Sequence, residues 1–134
     1  MAQLAPPLEQ DVRIVGVVST GATTYADSMT AGRVVEVPVS TRLADGMAVR
    51  RADADALAVL RDHLDHIVQV SDAEVAQAMR DLFTDTHNVA EGAGAAAFAA
   101  AMQERARLAG QVVGVTLCGG NVDASVFAQV LSGR

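Results

Sequence analysis

Short runs of apolar, mostly β-branched residues alternate with helix-like segments along this chain of 134 residues. Residues 13–18 and 111–117 are continuous apolar runs, the pattern of strands buried on both faces of a parallel sheet, and residues 67–70 form a shorter run. We expect the first of these strands to be central in its sheet. Residues 33–39 are also strand-like, with a boundary at Pro38.

Helical patterns fill the intervals between these runs. Residues 19–32 contain helix formers, and Gly32 is placed to end that helix. The next helix is amphipathic, with apolar positions three and four residues apart after two acidic residues: Leu57, Leu60 and Leu64 after Asp53 and Asp55. Ser71 and Glu74 form a capping box, which predicts a third helix through Phe83 with an apolar stripe of Val75, Met79, Leu82 and Phe83.

The last third of the chain predicts two more helices. The first runs from about Glu91 to Leu108, presents alanines on nearly every side and is therefore expected to be buried, with Gly110 closing it. His87 is expected to end the preceding helix, where an imidazolium favours the negative end of the dipole. A short terminal helix is expected over residues 123–131.

Strands that alternate with helices predict an α/β fold with a mostly parallel sheet flanked by helices. Only about three core strands are present, whereas a typical sheet has roughly five or six. So few strands would leave backbone groups and apolar helix faces uncovered. We therefore expect residues 1–134 to form a single partial domain, a piece of a larger three-layer fold.

Composition and charge narrow the functions that this chain can perform. Its aromatic residues are few (Tyr25, Phe83, Phe98 and Phe127), and its net charge of −6 comes from acidic and basic residues interspersed along the chain. Base stacking and clustered positive charge are thus missing, which argues against a nucleic-acid partner. Residues 89–102 are too short and too polar to span a membrane. A single cysteine and the lack of a leader pattern make the cytoplasm the expected location.

Four motifs occur in an order that resembles threonine dehydratases. They are Thr41-Arg-Leu-Ala-Asp-Gly-Met-Ala48, Ile67-Val-Gln-Val-Ser71, Val89-Ala-Glu-Gly-Ala-Gly-Ala95 and Leu117-Cys-Gly-Gly-Asn-Val-Asp123. The wider group is the tryptophan-synthase-β-like (fold type II) family of pyridoxal phosphate enzymes. The resemblance covers residues 11–131 and corresponds to the C-terminal part of such an enzyme. It implies dehydration and deamination of a hydroxy amino acid to a 2-oxo acid and ammonia, with threonine, serine and 3-hydroxyaspartate as open alternatives.

The resemblance also implies a cofactor-binding set of Cys118, Gly119, Gly120, Glu91 and Gly46. A serine or cysteine at the place of Cys118 makes a neutral hydrogen bond with the pyridine nitrogen, which favours β-elimination over transamination. Gly119 and Gly120 would let the backbone approach a flat ring. Glu91 would face the ring region, although Gly92 follows it where the family commonly has proline. Gly46 would line the substrate side.

Such an enzyme binds its cofactor through a lysine, and this chain contains none. All ten positive charges are arginines, whose protonated guanidinium cannot serve as the amine nucleophile. The resemblance places the lysine, an asparagine loop and a phosphate-binding glycine tetrad upstream, with residues 2–10 resembling the end of the helix after that tetrad. We expect no catalytic residue in this chain and no activity without a joined or complementing N-terminal half. A homodimer is a family expectation.

Metal binding is not expected. Some family members bind a divalent cation through carboxylates after the first strand of this region, and Val18 and Thr24 occupy those positions. A second candidate cluster contains histidines and aspartates close in sequence, but the same spacing is typical of a solvated helix end: Asp62, His63, Asp65 and His66.

Each candidate residue also has a simpler interpretation. Cys118 could be a small core hydrophobe, and Glu91 a helix N-terminal carboxylate. Gly92–Ala97 imitates a dinucleotide fingerprint but follows a helix, and the adjacent Arg50 and Arg51 are typical of a solvated surface. At the level of function, the alternatives are a non-catalytic ligand-binding or regulatory α/β module and a small nucleotide-binding domain that uses backbone amides after Cys118.

Overall fold

The computed structural model describes residues 12–133, which form two strands and five helices with one short 3-10 turn. The strands are β1 (Ile14–Ser19) and β2 (Leu64–Val70). The helices are α1 (Thr24–Ala31), α2 (Ala54–His63), α3 (Asp72–Thr86), α4 (Gly92–Gln103) and α5 (Ala124–Leu131), and the 3-10 turn is Asp45–Met47. The predicted α/β class is confirmed. The expectation for residues 2–10 lies outside the described residues.

The two strands pair in parallel, as their continuous apolar patterns predict. Val17 lies opposite Val68 and Ser19 opposite Val70, and the register shifts once, between Ile14 and Val15. Within the described residues β1 is bonded on one side only, so the expectation of a central strand is wrong for this part of the chain. The two strands nevertheless end at the same edge, which brings the loops that follow them together.

Two predicted strands are not formed. Residues 33–39 contain only a single antiparallel bridge, between Glu36 and Arg51. Residues 111–117 have no strand assignment, and Val112, Val113, Val115 and Leu117 are exposed. A strand exists only through hydrogen bonds to a neighbour, and no described residue supplies a neighbouring strand to either segment. Residues 12–133 therefore contain two strands, where about three core strands were predicted.

The helix ends follow the local signals in the sequence. Ser71 and Glu74 form the predicted capping box of α3, and the Asp53 side chain accepts a hydrogen bond from the Ala56 amide at the start of α2. Gly32 and His87 end α1 and α3 in the left-handed conformation, with φ values of 67° and 57°. Other predicted bounds shift: α1 begins only at Thr24, α3 extends past Phe83, and α4 ends before Leu108.

The core lies between α3, α4 and the sheet. Helix α4 packs on both strands and on α3, and α5 packs on α3, while α1 and α2 contact each other. Met79 and Val75 of α3 are fully buried against the alanines of α4. The expectation that α4 is buried is confirmed, because its alanines and glycines allow close approach. None of the helices within residues 12–133 has both the length and the apolar character needed to cross a membrane.

Candidate functional site

The turn after residue 117 is tied to the start of α4 by hydrogen bonds in both directions. The Glu91 amide donates to the Gly119 carbonyl oxygen at 3.0 Å. The Glu91 carboxylate accepts from the Asn121 amide through Oε2, also at 3.0 Å. Glu91 occupies the N-cap position of α4 but makes no capping bond to that helix. Its carboxylate therefore holds the turn, an interaction that neither sequence interpretation of Glu91 had foreseen.

We call the place where the turn at residues 118–121 meets the start of α4 the junction. Packing within the chain explains why glycines occur there. A Cβ placed on Gly119 would lie 2.7 Å from Cδ of Glu91, and one placed on Gly120 would lie 2.7 Å from the Val89 carbonyl oxygen. A Cβ on Gly94 would collide with the Gly119 carbonyl oxygen. The lack of side chains is thus what lets the turn lie directly on the start of α4.

A third loop joins the same junction. A Cβ on Gly92 would lie 2.6 Å from the carbonyl carbon of Leu43, so the loop backbone rests on the first turn of α4. The Cβ position of Gly46 is 2.9 Å from the Ala93 Cβ and 3.9 Å from Oε1 of Glu91. Gly46 and Gly119 therefore both lie close to the Glu91 carboxylate.

The remaining motif, Ile67–Ser71, is connected to the loop that carries Gly46 through Asp72, which directly follows Ser71. The Asp72 carboxylate accepts hydrogen bonds from the Thr41 hydroxyl at 2.5 Å and from the Arg42 amide at 2.9 Å. All four motifs therefore meet at one end of the sheet, following β2 and flanking the start of α4. Sequence order alone did not indicate Asp72, because an aspartate at the start of a helix is ordinarily explained by the helix dipole.

The structure brings four of the five predicted residues into direct proximity, and Cys118 adjoins them. Gly46, Glu91, Gly119 and Gly120 lie at the junction, while the thiol of Cys118 is free and exposed at its edge. The interpretation of Cys118 as a core hydrophobe does not hold in the described structure, since core residues are buried. A thiol can form a hydrogen bond with a pyridine nitrogen, so the exposed Cys118 is compatible with that partner. Cofactor binding by these five residues stays a prediction.

The junction is an open surface. Two surface cavities are lined elsewhere, one of about 440 Å³ between residues 33–36 and Arg51 and one of about 210 Å³ along α3 and α4. Neither includes Gly46, Glu91 or Cys118. Gly46, Cys118 and Gly120 are exposed, so the described residues leave the junction open to solvent.

Two of the four residues considered for metal binding, Asp65 and His66, belong to a polar cluster with Glu104 and Arg107. His66 Nδ1 lies 2.7 Å from Asp65, and Nε2 lies 2.9 Å from Glu104. Arg107 contacts both carboxylates, at 3.2 and 3.1 Å. The hydrogen bond from His66, the largest cause, holds the pKa of Asp65 below its ordinary value. Across residues 12–133, no three His, Cys, Asp or Glu side chains are grouped in a way that could hold a metal ion.

Comparison with known proteins identifies the family of this chain. Residues 2–119 match the family described as "Pyridoxal-phosphate dependent enzyme". An L-threonine ammonia-lyase from Geobacter sulfurreducens is 38% identical over 121 residues, which are 90% of this chain and 30% of that protein. An L-threo-3-hydroxyaspartate ammonia-lyase from Saccharomyces cerevisiae is 30% identical over 133 residues, 99% of this chain and 41% of that protein.

Solved structures agree with these relatives. The crystal structure of a threonine deaminase from T.th. superposes with a TM-score of 0.79 at 33% identity, over 87% of this chain and 39% of that one. The processed form of threonine deaminase isoform 2 from Solanum lycopersicum gives a TM-score of 0.83 at 27% identity, over 90% and 36%. The chain spans 30% to 41% of these proteins. It belongs to the pyridoxal-phosphate dependent enzyme family, as its four motifs predict.

Proposed function

We propose that this chain forms the ring-side wall of a pyridoxal phosphate-dependent ammonia-lyase that converts a hydroxy amino acid to a 2-oxo acid and ammonia. The observation that carries this proposal is the meeting of Gly46, Glu91 and Gly119 around one carboxylate, with the free thiol of Cys118 at the edge. The names of the relatives, two ammonia-lyases and two threonine deaminases, support the reaction class.

The chain supplies binding groups for this reaction. When bound, the cofactor supplies an electron-withdrawing ring that makes the substrate α-proton acidic. Cys118 offers the ring nitrogen a neutral hydrogen-bond partner, and Glu91 holds the turn that carries it. In the overall reaction the substrate loses its α-proton and β-hydroxyl as water, and hydrolysis then releases ammonia. The amine that binds the cofactor covalently must come from polypeptide outside these 134 residues, because they contain no lysine.

The exposure of the junction also supports a site that is completed by polypeptide outside this chain. A binding site for a small ligand ordinarily buries most of the ligand surface, whereas Gly46 and Cys118 are exposed here. The chain also spans well under half the length of the relatives described above. Polypeptide beyond these residues would form the opposite wall and carry the lysine. The chain alone is therefore expected to be inactive.

A hybrid enzyme tests this proposal. The stretch of the Geobacter sulfurreducens L-threonine ammonia-lyase that this chain matches is replaced by the chain itself, and ammonia and 2-oxo acid are measured with threonine, serine and 3-hydroxyaspartate. We expect activity in the hybrid and none in the purified chain. Cys118→Ser should retain most of the activity because a hydroxyl keeps the neutral hydrogen bond, whereas Cys118→Ala should lower it. Ammonia release by the chain alone, or a folded hybrid that binds cofactor but acts on none of these substrates, would contradict the proposal.

The assembly and location of the complete enzyme are part of the same proposal. A homodimer is the state that the family resemblance implies, and light scattering of the hybrid measures it directly. The cytoplasm is the compartment expected from the single cysteine, Cys118. Fractionation of cells that express the hybrid checks that expectation.

A further inference from the structure

One carboxylate accepts hydrogen bonds from three consecutive residues of the loop that carries Gly46. Asp72, the first residue of α3, accepts hydrogen bonds from the Thr41 hydroxyl at 2.5 Å, the Arg42 amide at 2.9 Å and the Leu43 amide at 3.4 Å. Oδ1 of Asp72 accepts the hydrogen bond from the hydroxyl, and Oδ2 accepts those from both amides. Three consecutive residues are therefore oriented by one side chain that lies about 30 positions later in sequence.

The Thr41 hydroxyl extends this arrangement to a buried amide. Thr41 Oγ1 donates to Asp72 and accepts from the Ala44 amide at 3.2 Å. Ala44 is fully buried, and a buried amide without a partner is costly. On the other side of the loop, the Ser40 amide donates to the Gly21 carbonyl oxygen at 2.8 Å. The path from Asp72 through Thr41 to Ala44 is thus a continuous chain of hydrogen bonds.

The far end of this loop is the part that meets the candidate site. The Leu43 carbonyl rests on Gly92, and Gly46 lies against Ala93 with its Cβ position 3.9 Å from Glu91 Oε1. We propose that Asp72 and Thr41 are positioning residues, which place Gly46 beside Glu91 by fixing the loop from residue 41 to residue 44. This inference rests on the proposed function, because it assigns the loop to the substrate side of that site.

A simpler role for Asp72 is stabilisation of α3 by its charge near the positive end of the helix dipole. The two roles differ in what Thr41 does. Thr41 lies outside α3, so loss of its hydroxyl leaves the Asp72 charge at the start of α3, yet it breaks the path to the Ala44 amide. Thr41→Val removes the hydroxyl at nearly constant shape, and Thr41→Ser restores it.

Amide hydrogen exchange of the chain itself provides the first test. In Asp72→Asn we expect the amides of Arg42 and Leu43 to exchange roughly tenfold faster, since an amide side chain replaces an acceptor oxygen by a donor. In Thr41→Val the Ala44 amide should accelerate by a similar factor, and Thr41→Ser should be close to wild type. Asp85→Asn, the same change near the end of α3, is the matched control. Unchanged exchange in both loop variants, or equal loosening in the control, would overturn the inference.

The hybrid enzyme provides a second readout that a purely structural role would not change. Asp72→Asn and Thr41→Val should raise KM for the hydroxy amino acid more than they lower kcat, with Thr41→Ser restoring KM, because the loop positions substrate and carries no reacting group. If both variants loosen the loop yet leave kcat and KM unchanged, the positioning role is wrong. If the parent hybrid is inactive, the proposed function fails, and the exchange measurement alone decides the role of Asp72 in the loop.

Discussion

Gly94 of α4 lies so close to Gly119 that a Cβ on Gly94 would be 3.1 Å from the Gly119 nitrogen and nearer still to its carbonyl oxygen. Two backbones that are 25 residues apart in sequence therefore pack in direct contact. Backbone atoms cannot rotate away as a flexible side chain can, so the contact sets the position of the turn that follows Cys118.

Gly94→Ala should destabilise the chain although alanine is the better helix former. The intrinsic preference favours alanine by about 1 kcal/mol, but a methyl group forced against backbone typically costs about 1–3 kcal/mol. We expect a net loss in the free energy of unfolding, measured by urea titration. Gly114→Ala, where nothing lies within 4 Å of the added Cβ, is the control and should be neutral. A Gly94→Ala variant as stable as the control would show that the turn can move aside.

Glu91→Ala should loosen the turn at residues 119–121. The substitution removes the acceptor of the Asn121 amide, and we expect a loss of about 1 kcal/mol in unfolding free energy. Glu91→Gln keeps an acceptor oxygen and should cost less. Glu36→Gln, at an exposed position, serves as the control for loss of a negative charge. Equal stability of Glu91→Ala and wild type would mean that the carboxylate does not hold the turn.

Met79→Ala should be among the most destabilising single changes in the core. Met79 is fully buried between α3 and α4, and truncation of a buried methionine typically costs about 2–5 kcal/mol through lost burial and the remaining cavity. Met102→Ala is the matched control, because Met102 is 41% exposed. Thermal and urea unfolding of both variants measure the difference. Similar losses of unfolding free energy at the two positions would contradict the assignment of Met79 to the core.

The capping box of α3 should contribute an acid-dependent part of the stability. The Glu74 carboxylate accepts hydrogen bonds from the backbone amide of Ser71, the Ser71 hydroxyl and the side-chain amide of Gln103. These bonds, that of the Ser71 backbone amide most of all, lower the pKa of Glu74. A lowered folded-state pKa stabilises the fold above the unfolded pKa of about 4.3 and loses that effect as the pH falls through the folded value.

Glu74→Gln should therefore be less stable than wild type at neutral pH and approach it at about pH 3. Unfolding free energies at the two pH values measure this convergence. Asp65, whose pKa is also lowered, keeps part of the acid dependence in the variant. Ser71→Ala, which removes the cap itself, should cost about 1 kcal/mol at neutral pH. A constant difference between Glu74→Gln and wild type at both pH values would contradict the capping role.

Local signals in the sequence predicted the helices well and the strands less well. The capping box at Ser71, the stop at Gly32 and the end of α3 at His87 depend on groups within a few residues, so they were predictable. Residues 111–117 have the composition of a strand but no strand assignment, since pairing requires a neighbour that residues 12–133 do not provide. The same holds for residues 33–39, which make one bridge.

Hydropathy patterns and motifs predicted the α/β class and the family, and the family resemblance implied five candidate site residues, three of them in the turn at Cys118. The sequence could not show that Glu91 holds the Asn121 amide or that Asp72 orients the loop from Thr41 to Leu43, because each partner lies about 30 residues away and each acid has an ordinary local explanation. Only the tertiary structure brings these groups within hydrogen-bonding distance. The start of α4 and Asp72 at the start of α3 hold these distant loops in place, and no local sequence pattern encodes those contacts.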